Sequence, residues 1–72
     1  MTAPTLGSIL RDAREAKKWT QFEAAVQTGI STATICRYER DEVAVSVPNL
    51  AALCRAYGLD IGSTIRDAGI HR

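Results

Sequence analysis

The chain has 72 residues, of which 46% are hydrophobic and 24% charged, and its formal net charge is only +1. That length and balance describe one small folded domain, too short to divide into two cores and too apolar for a disordered tail. No apolar run nears the ~20 residues of a membrane span and the N-terminus lacks a signal-peptide pattern, so no membrane partner and a cytoplasmic location are expected.

Residues 1–4 read as a loose arm, 5–69 as the domain and 70–72 as a tail. Thr5 can cap a first helix whose apolar face is Leu6, Ile9, Leu10, Ala13 and Ala16, running to about Lys18 with its basic residues in the last turns. Thr20-Gln21-Phe22-Glu23 is a capping box that opens a second, short helix, and Thr28-Gly29 stops it, because glycine takes the left-handed conformation of a tight exit. Ser31 caps a third helix to about Arg40, and Asp41 to Val45 lacks periodicity and reads as a loop. Ser46 caps a fourth helix with Pro48 in its first turn and Val47, Leu50, Leu53, Cys54 and Tyr57 on the buried side, ending at Gly58. Asp60 opens a weaker fifth helix carrying Ile61, Ile65 and Ala68.

The stretch that carries function is TQFEAAVQTGISTATICRYER, Thr20 to Arg40. Two short helices joined by a glycine turn must cross steeply, so Ala25 is small where they approach, and Ile30, Ile35 and Tyr38 fill the wedge. Ile35 and Tyr38 define the buried side of the third helix, with Thr34 at its edge. The opposite face is Thr32, Ala33, Cys36, Arg37 and Arg40, compact at its start and basic at its end, which suits the major groove of DNA. On this reading Arg37 donates to guanine O6 and N7, Thr32 and Ala33 meet neighbouring base edges, and Cys36 stands among them, either as a base contact or as a small neutral spacer. Gln21, Ser31 and Thr34, at or near helix N-termini, are expected on phosphates, together with Lys17, Lys18 and Arg40. Charge agrees: Arg11 to Arg40 holds six basic and four acidic residues, while from Asp41 onward four acidic face three basic.

Those residues, together with Leu10-Arg11 and Arg14, Ala25 and Gly29, Ile30-Ser31, Thr34-Ile35, Arg37-Tyr38-Glu39-Arg40, and Leu50, Leu53, Ala56 and Gly58, make the chain resemble a Cro/C1-type (XRE-like) helix-turn-helix domain over nearly its whole length. The resemblance implies an all-α, lambda-repressor-like fold of five helices, with Gln21 on a phosphate and Thr32, Ala33 and Arg37 reading bases. It also implies a structural ion pair between Arg14 and Glu39. Three departures stand out. Asp41 replaces the usual glycine and Val45 the frequent proline, while Asp41-Glu42 place negative charge in a loop that commonly touches DNA, which predicts fewer phosphate contacts. Thr28 is more polar than usual for its place and is tolerated if its hydroxyl bonds back to the helix.

The remaining distinctive residues read as structure. Trp19 and Tyr57 are packing residues and Cys54 is core; Phe22 is exposed, either by accident or as a protein contact. Two cysteines are too few for a disulfide framework and lack zinc-site spacing, so reduced thiols and no metal, cofactor or small-molecule ligand are expected. His71, the sole histidine, has no second group placed to make it a catalytic base, which argues against an enzyme. The expected function is a sequence-specific regulator, a repressor on a pseudopalindromic operator. A lone module offers little contact area, so a homodimer through Ile61, Ile65 and Ile70 is expected on double-stranded DNA. The competing expectation is an antitoxin or adaptor that keeps the fold and binds protein.

Overall fold

In the computed structural model, residues 4–69 are described, and they form α1 (Leu6–Ala16), α2 (Gln21–Thr28), α3 (Thr32–Glu39), α4 (Val47–Tyr57) and α5 (Ile61–Asp67). No strand occurs among the described residues. None of these helices exceeds 11 residues, a length at which an isolated helix is marginal in water, so their ends matter as much as their faces.

Every helix starts at a side-chain cap. Thr5 Oγ1 accepts the Ser8 N–H at 3.1 Å and Ser8 Oγ accepts the Thr5 N–H in return, while Thr20 and Glu23 make the same reciprocal pair at 3.0 and 2.7 Å. Ser31, Ser46 and Asp60 accept from the residue three positions on. Gly29 and Gly58 end α2 and α4 with φ of 78° and 74°. α1 and α3 end differently, in left-handed residues that are not glycine, Lys18 (φ 64°) and Asp41 (φ 58°). In both, two amides turn back onto the last carbonyls: Lys18 N to Glu15 O and Trp19 N to Arg14 O, then Asp41 N to Tyr38 O and Glu42 N to Arg37 O. This closure explains why α1 stops at Ala16 rather than near Lys18.

The core gathers Leu10 from α1, Ala24 from α2, Ile30 from the turn, Ile35 and Tyr38 from α3, and Leu50, Leu53, Cys54 and Tyr57 from α4. Two residues, Ala16 and Val47, correct the faces expected from sequence. Ala24 is fully enclosed, and Ala25 beside it is half-buried against the core. Ala16 is exposed, and the buried stripe of α1 is Gly7, Leu10 and Arg14. Val47 is 75% exposed, since it occupies the first turn of α4 before that helix reaches the core. In α5 the buried residue is Thr64, while Ile61 is exposed and Ile65 packs at the margin of the core.

Trp19 and Tyr57 pack with ring centroids 6.0 Å apart. The Tyr57 hydroxyl is buried with no hydrogen-bond partner among the described residues. Burial pushes this phenol up to about 12, with Glu39 adding to the rise and Arg14 opposing it. A phenol that titrates near 10 when unfolded favours the folded state below that pH, and the benefit is lost as pH rises towards 12. Tyr57→Phe is therefore expected to leave stability at pH 7 within about 1 kcal/mol of the parent and to remove this alkaline loss. Urea denaturation at pH 7 and pH 11 checks it, and an equal alkaline loss in both chains would exonerate the hydroxyl.

A Cβ added at Gly7 would lie 2.5 Å from the Tyr38 carbonyl oxygen and 2.7 Å from that of Glu39. Alanine normally improves a helix, but here the backbone of α3 stands in the way. Gly7→Ala should cost about 2 kcal/mol net, read as a lower denaturation midpoint at unchanged slope.

Candidate nucleic-acid interface

α2 and α3 meet through the turn Thr28 to Ser31. The Thr28 hydroxyl donates to Ala24 O at 2.8 Å and accepts the Ile30 N–H at 3.2 Å, so the polar residue at this place is satisfied by the helix it ends. Ile35 and Tyr38 are buried beneath α3, and Tyr38 is further fixed by its hydroxyl, which accepts from Asn49 Nδ2 at 2.7 Å.

On the outer side of α3, Ala33, Arg37 and Arg40 are exposed, whereas Thr32 and Cys36 are half-buried. The outward edge is thus narrower than the five residues read from sequence. The Ser31 hydroxyl accepts the Thr34 N–H at 3.1 Å and donates to Thr34 Oγ1 at 2.8 Å, which leaves the Thr34 hydroxyl proton at the start of α3 free to point outward. Arg40 lies 3.7 Å from Glu42, both exposed, a pairing worth little in water. Lys17 stands over the Trp19 ring at 5.9 Å, and Lys18 is held in the left-handed end of α1. The structure brings Gln21, Ser31 and Thr34 to the α2 and α3 N-termini, while Lys17 and Lys18 sit just before α2.

Beneath this surface lies a buried polar cluster. Arg14 Nε and Nη2 donate to Glu39 Oε2 and Oε1 at 2.7 and 3.0 Å, and Nη1 donates to the Trp19 carbonyl at 2.7 Å. Gln21 Nε2 adds a bond to Glu39 Oε1 at 3.1 Å. The Glu39 side chain retains 3% exposure. The hydrogen bond to Glu39 raises the Arg14 guanidinium above its ordinary value against the opposing effect of burial, so the guanidinium stays charged at any working pH. Gln21 is therefore anchored from within; one amide hydrogen serves Glu39 and the other remains for an outside acceptor.

Sequence reading missed the Gln21 bond to Glu39, the Asn49 bond to Tyr38 and the Arg14 bond to the Trp19 carbonyl, and also the Gly7 N–H donating to Asp41 Oδ1 at 3.0 Å. The Asp41 carboxylate, expected to face DNA, is turned onto α1. A glycine inside the first turn of α1 was the only local signal. Ile61 and Ile65 lie in α5, and Ile70 falls outside the described residues. No group of His, Cys, Asp or Glu among the described residues is arranged to hold a metal, and no described helix is long and apolar enough to cross a membrane.

The helix-turn-helix domain family matches residues 5–67. Among solved structures, the DNA-binding domain of the P22 c2 repressor (residues 1–76) is similar at 26% identity, over 90% of this chain and 86% of that one, with a TM-score of 0.82. No curated protein matches the sequence.

Removing either partner of the buried pair strands a charge. Arg14→Met or Glu39→Gln alone is expected to cost roughly 3–5 kcal/mol, and the double variant Arg14→Met/Glu39→Leu to recover most of it. Denaturant unfolding of the three variants forms the check; single losses below about 1 kcal/mol would mean that the pair is not desolvated as its burial implies.

Proposed function

The chain belongs to the helix-turn-helix domain family, and from that premise we propose that it is a sequence-specific double-stranded DNA-binding transcriptional regulator whose α3 enters the major groove. The observation that carries the reading is the division of α3, with Ile35 and Tyr38 buried below and Ala33, Arg37 and Arg40 exposed together above. Arg37 reaches guanine bidentately, and Ala33 approaches a thymine methyl closely because its side chain ends at Cβ. Thr32 and Cys36, half-buried, flank this edge and contact bases only where the groove wall comes to them. Gln21, Ser31 and Thr34 take phosphates on either side, helped by Lys17, Lys18 and Arg40.

Two protomers on a pseudopalindromic operator would place α3 in successive major grooves ~34 Å apart. Ile61 and Ile65 on α5 are the candidate contact between protomers, with Ile70 beyond them. Occlusion of the promoter is the simplest mechanism, and it makes the protein a repressor. A second reading, an antitoxin or adaptor that docks on protein, is favoured by one feature: Phe22 and Val26, one turn apart on α2, are 67% and 66% exposed.

Salt separates the two, because operator binding should fall steeply with ionic strength and an apolar protein contact should not. Arg37→Ala is expected to relax one base position by ~1–3 kcal/mol of discrimination with the fold intact. Gln21→Ala should weaken all duplexes alike. Selection from random duplexes with the parent and both variants tests this; an unchanged motif in Arg37→Ala would remove the arginine from the reading edge.

A further inference from the structure

We infer that Asp41 is a positioning residue for the groove-facing helix, fixing the C-terminal end of α3 against α1 and so the pitch at which Arg37 and Arg40 are presented. The inference rests on the reading of α3 as the DNA-contacting element. Among the described residues, the Gly7 to Asp41 bond of 3.0 Å is the only hydrogen bond joining α1 to the segment 40–45. Gly7 packs on the Tyr38 and Glu39 carbonyls and Arg14 grips Glu39, but past that point Leu6 and the residues Asp41 to Val45 border an open groove of about 500 Å³, so packing does not hold the loop to α1.

The bond sits at the helix end that carries the two arginines, and its link to them runs through the backbone. Asp41 holds φ 58°, and this conformation lets the Glu42 N–H close onto the Arg37 carbonyl at 2.9 Å. Glu42 in turn lies 3.7 Å from Arg40. The absence of a side chain at Gly7 is what allows the approach, because a Cβ there would come within 2.8 Å of Asp41 Oδ1. Glycine at position 41 would take the left-handed conformation without strain, yet it would offer no acceptor to the Gly7 amide. An aspartate accepts the strain and supplies the acceptor.

Two variants divide geometry from charge. Asp41→Gly keeps the turn and loses the acceptor; Asp41→Asn keeps an acceptor and tolerance of the left-handed region but loses the charge. The probes are the duplex that the parent chain enriches from a random pool and a scrambled duplex of equal composition. In Asp41→Gly the affinity ratio between the two is expected to fall roughly tenfold, the scale of one charge-assisted hydrogen bond. In Asp41→Asn both affinities should rise together as a negative charge leaves, with the ratio kept within about threefold. Hydrogen exchange of the Gly7 amide reads the bond without DNA: protected in the parent and in Asp41→Asn, fast in Asp41→Gly. Equal ratios in the parent and Asp41→Gly, or equal Gly7 exchange, would overturn the inference while leaving DNA reading in place. A parent chain that enriches no duplex overturns both, whatever Gly7 shows.

Discussion

The buried carboxylate of Glu39 is the point on which the three N-terminal helices depend. It is nearly solvent-free, and it receives Arg14 from α1 and Gln21 from the first residue of α2 while belonging itself to the end of α3. A charge in such a place is tolerated only if it is paired and hydrogen-bonded, and here the guanidinium fork meets it in two bonds while its remaining nitrogen is used by the Trp19 carbonyl. The pair adds little net stability over an apolar substitute. What it adds is direction, because an apolar contact would permit many crossing angles and a bidentate one permits few. Gln21 shares the arrangement, so a residue at the start of α2 takes its orientation from a residue at the end of α3.

Around that centre the protein relies on helix ends to an unusual degree. Five helices of 7 to 11 residues cannot persist on propensity, and each is started by a hydroxyl or carboxylate that accepts an otherwise orphaned amide. Two of the exits use residues with side chains in the left-handed region. At Lys18 the following Trp19 carbonyl is turned to Arg14, and at Asp41 the carboxylate is turned to Gly7. Only the second contact reaches another part of the chain, since Arg14 belongs to the helix that Lys18 ends. At Asp41 the strain is thus part of how α1 is joined to the end of α3, and a relaxed glycine there would leave the helix end closed but the join weaker.

The sequence made the helix boundaries legible because caps and glycine exits are local: Thr5, Thr20, Ser31, Ser46 and Asp60 each declare a start within four residues, and Gly29 and Gly58 each declare a stop. The inner side of α3 was legible too, since Ile35 and Tyr38 are its bulky apolar residues. Faces were less so. Ala24 and Ala25 differ by one position, about 100° around the helix, and two alanines carry no hydrophobic contrast to choose between them. Val47 is apolar by type and exposed by position, because the first turn of α4 projects past the core. Thr64 is polar by type and buried by position, for α5 packs across α1 and α4 on its threonine side. The Gly7 to Asp41 bond spans 34 positions and joins residue types common in any loop or turn, so no window along the chain could contain it.

A net charge of +1 limits what electrostatics can contribute to any DNA complex. Non-specific attraction must be weak, and discrimination then has to come from a few well-placed groups. That requirement fits an outward edge of α3 reduced to Ala33, Arg37 and Arg40, because a narrow edge with two long cations discriminates only if its backbone does not drift. The internal contacts oppose that drift at both ends of the helix. The Ser31 and Thr34 hydroxyls pair at its start; Glu39 and Asp41, each tied to α1, hold its end. Acidic residues after the helix would ordinarily oppose a polyanion, but Asp41 is turned onto an α1 amide and Glu42 stands beside Arg40. On the proposed reading, low charge and rigid presentation are one solution: the chain gives up general affinity for DNA and keeps the geometry that tells one duplex from another.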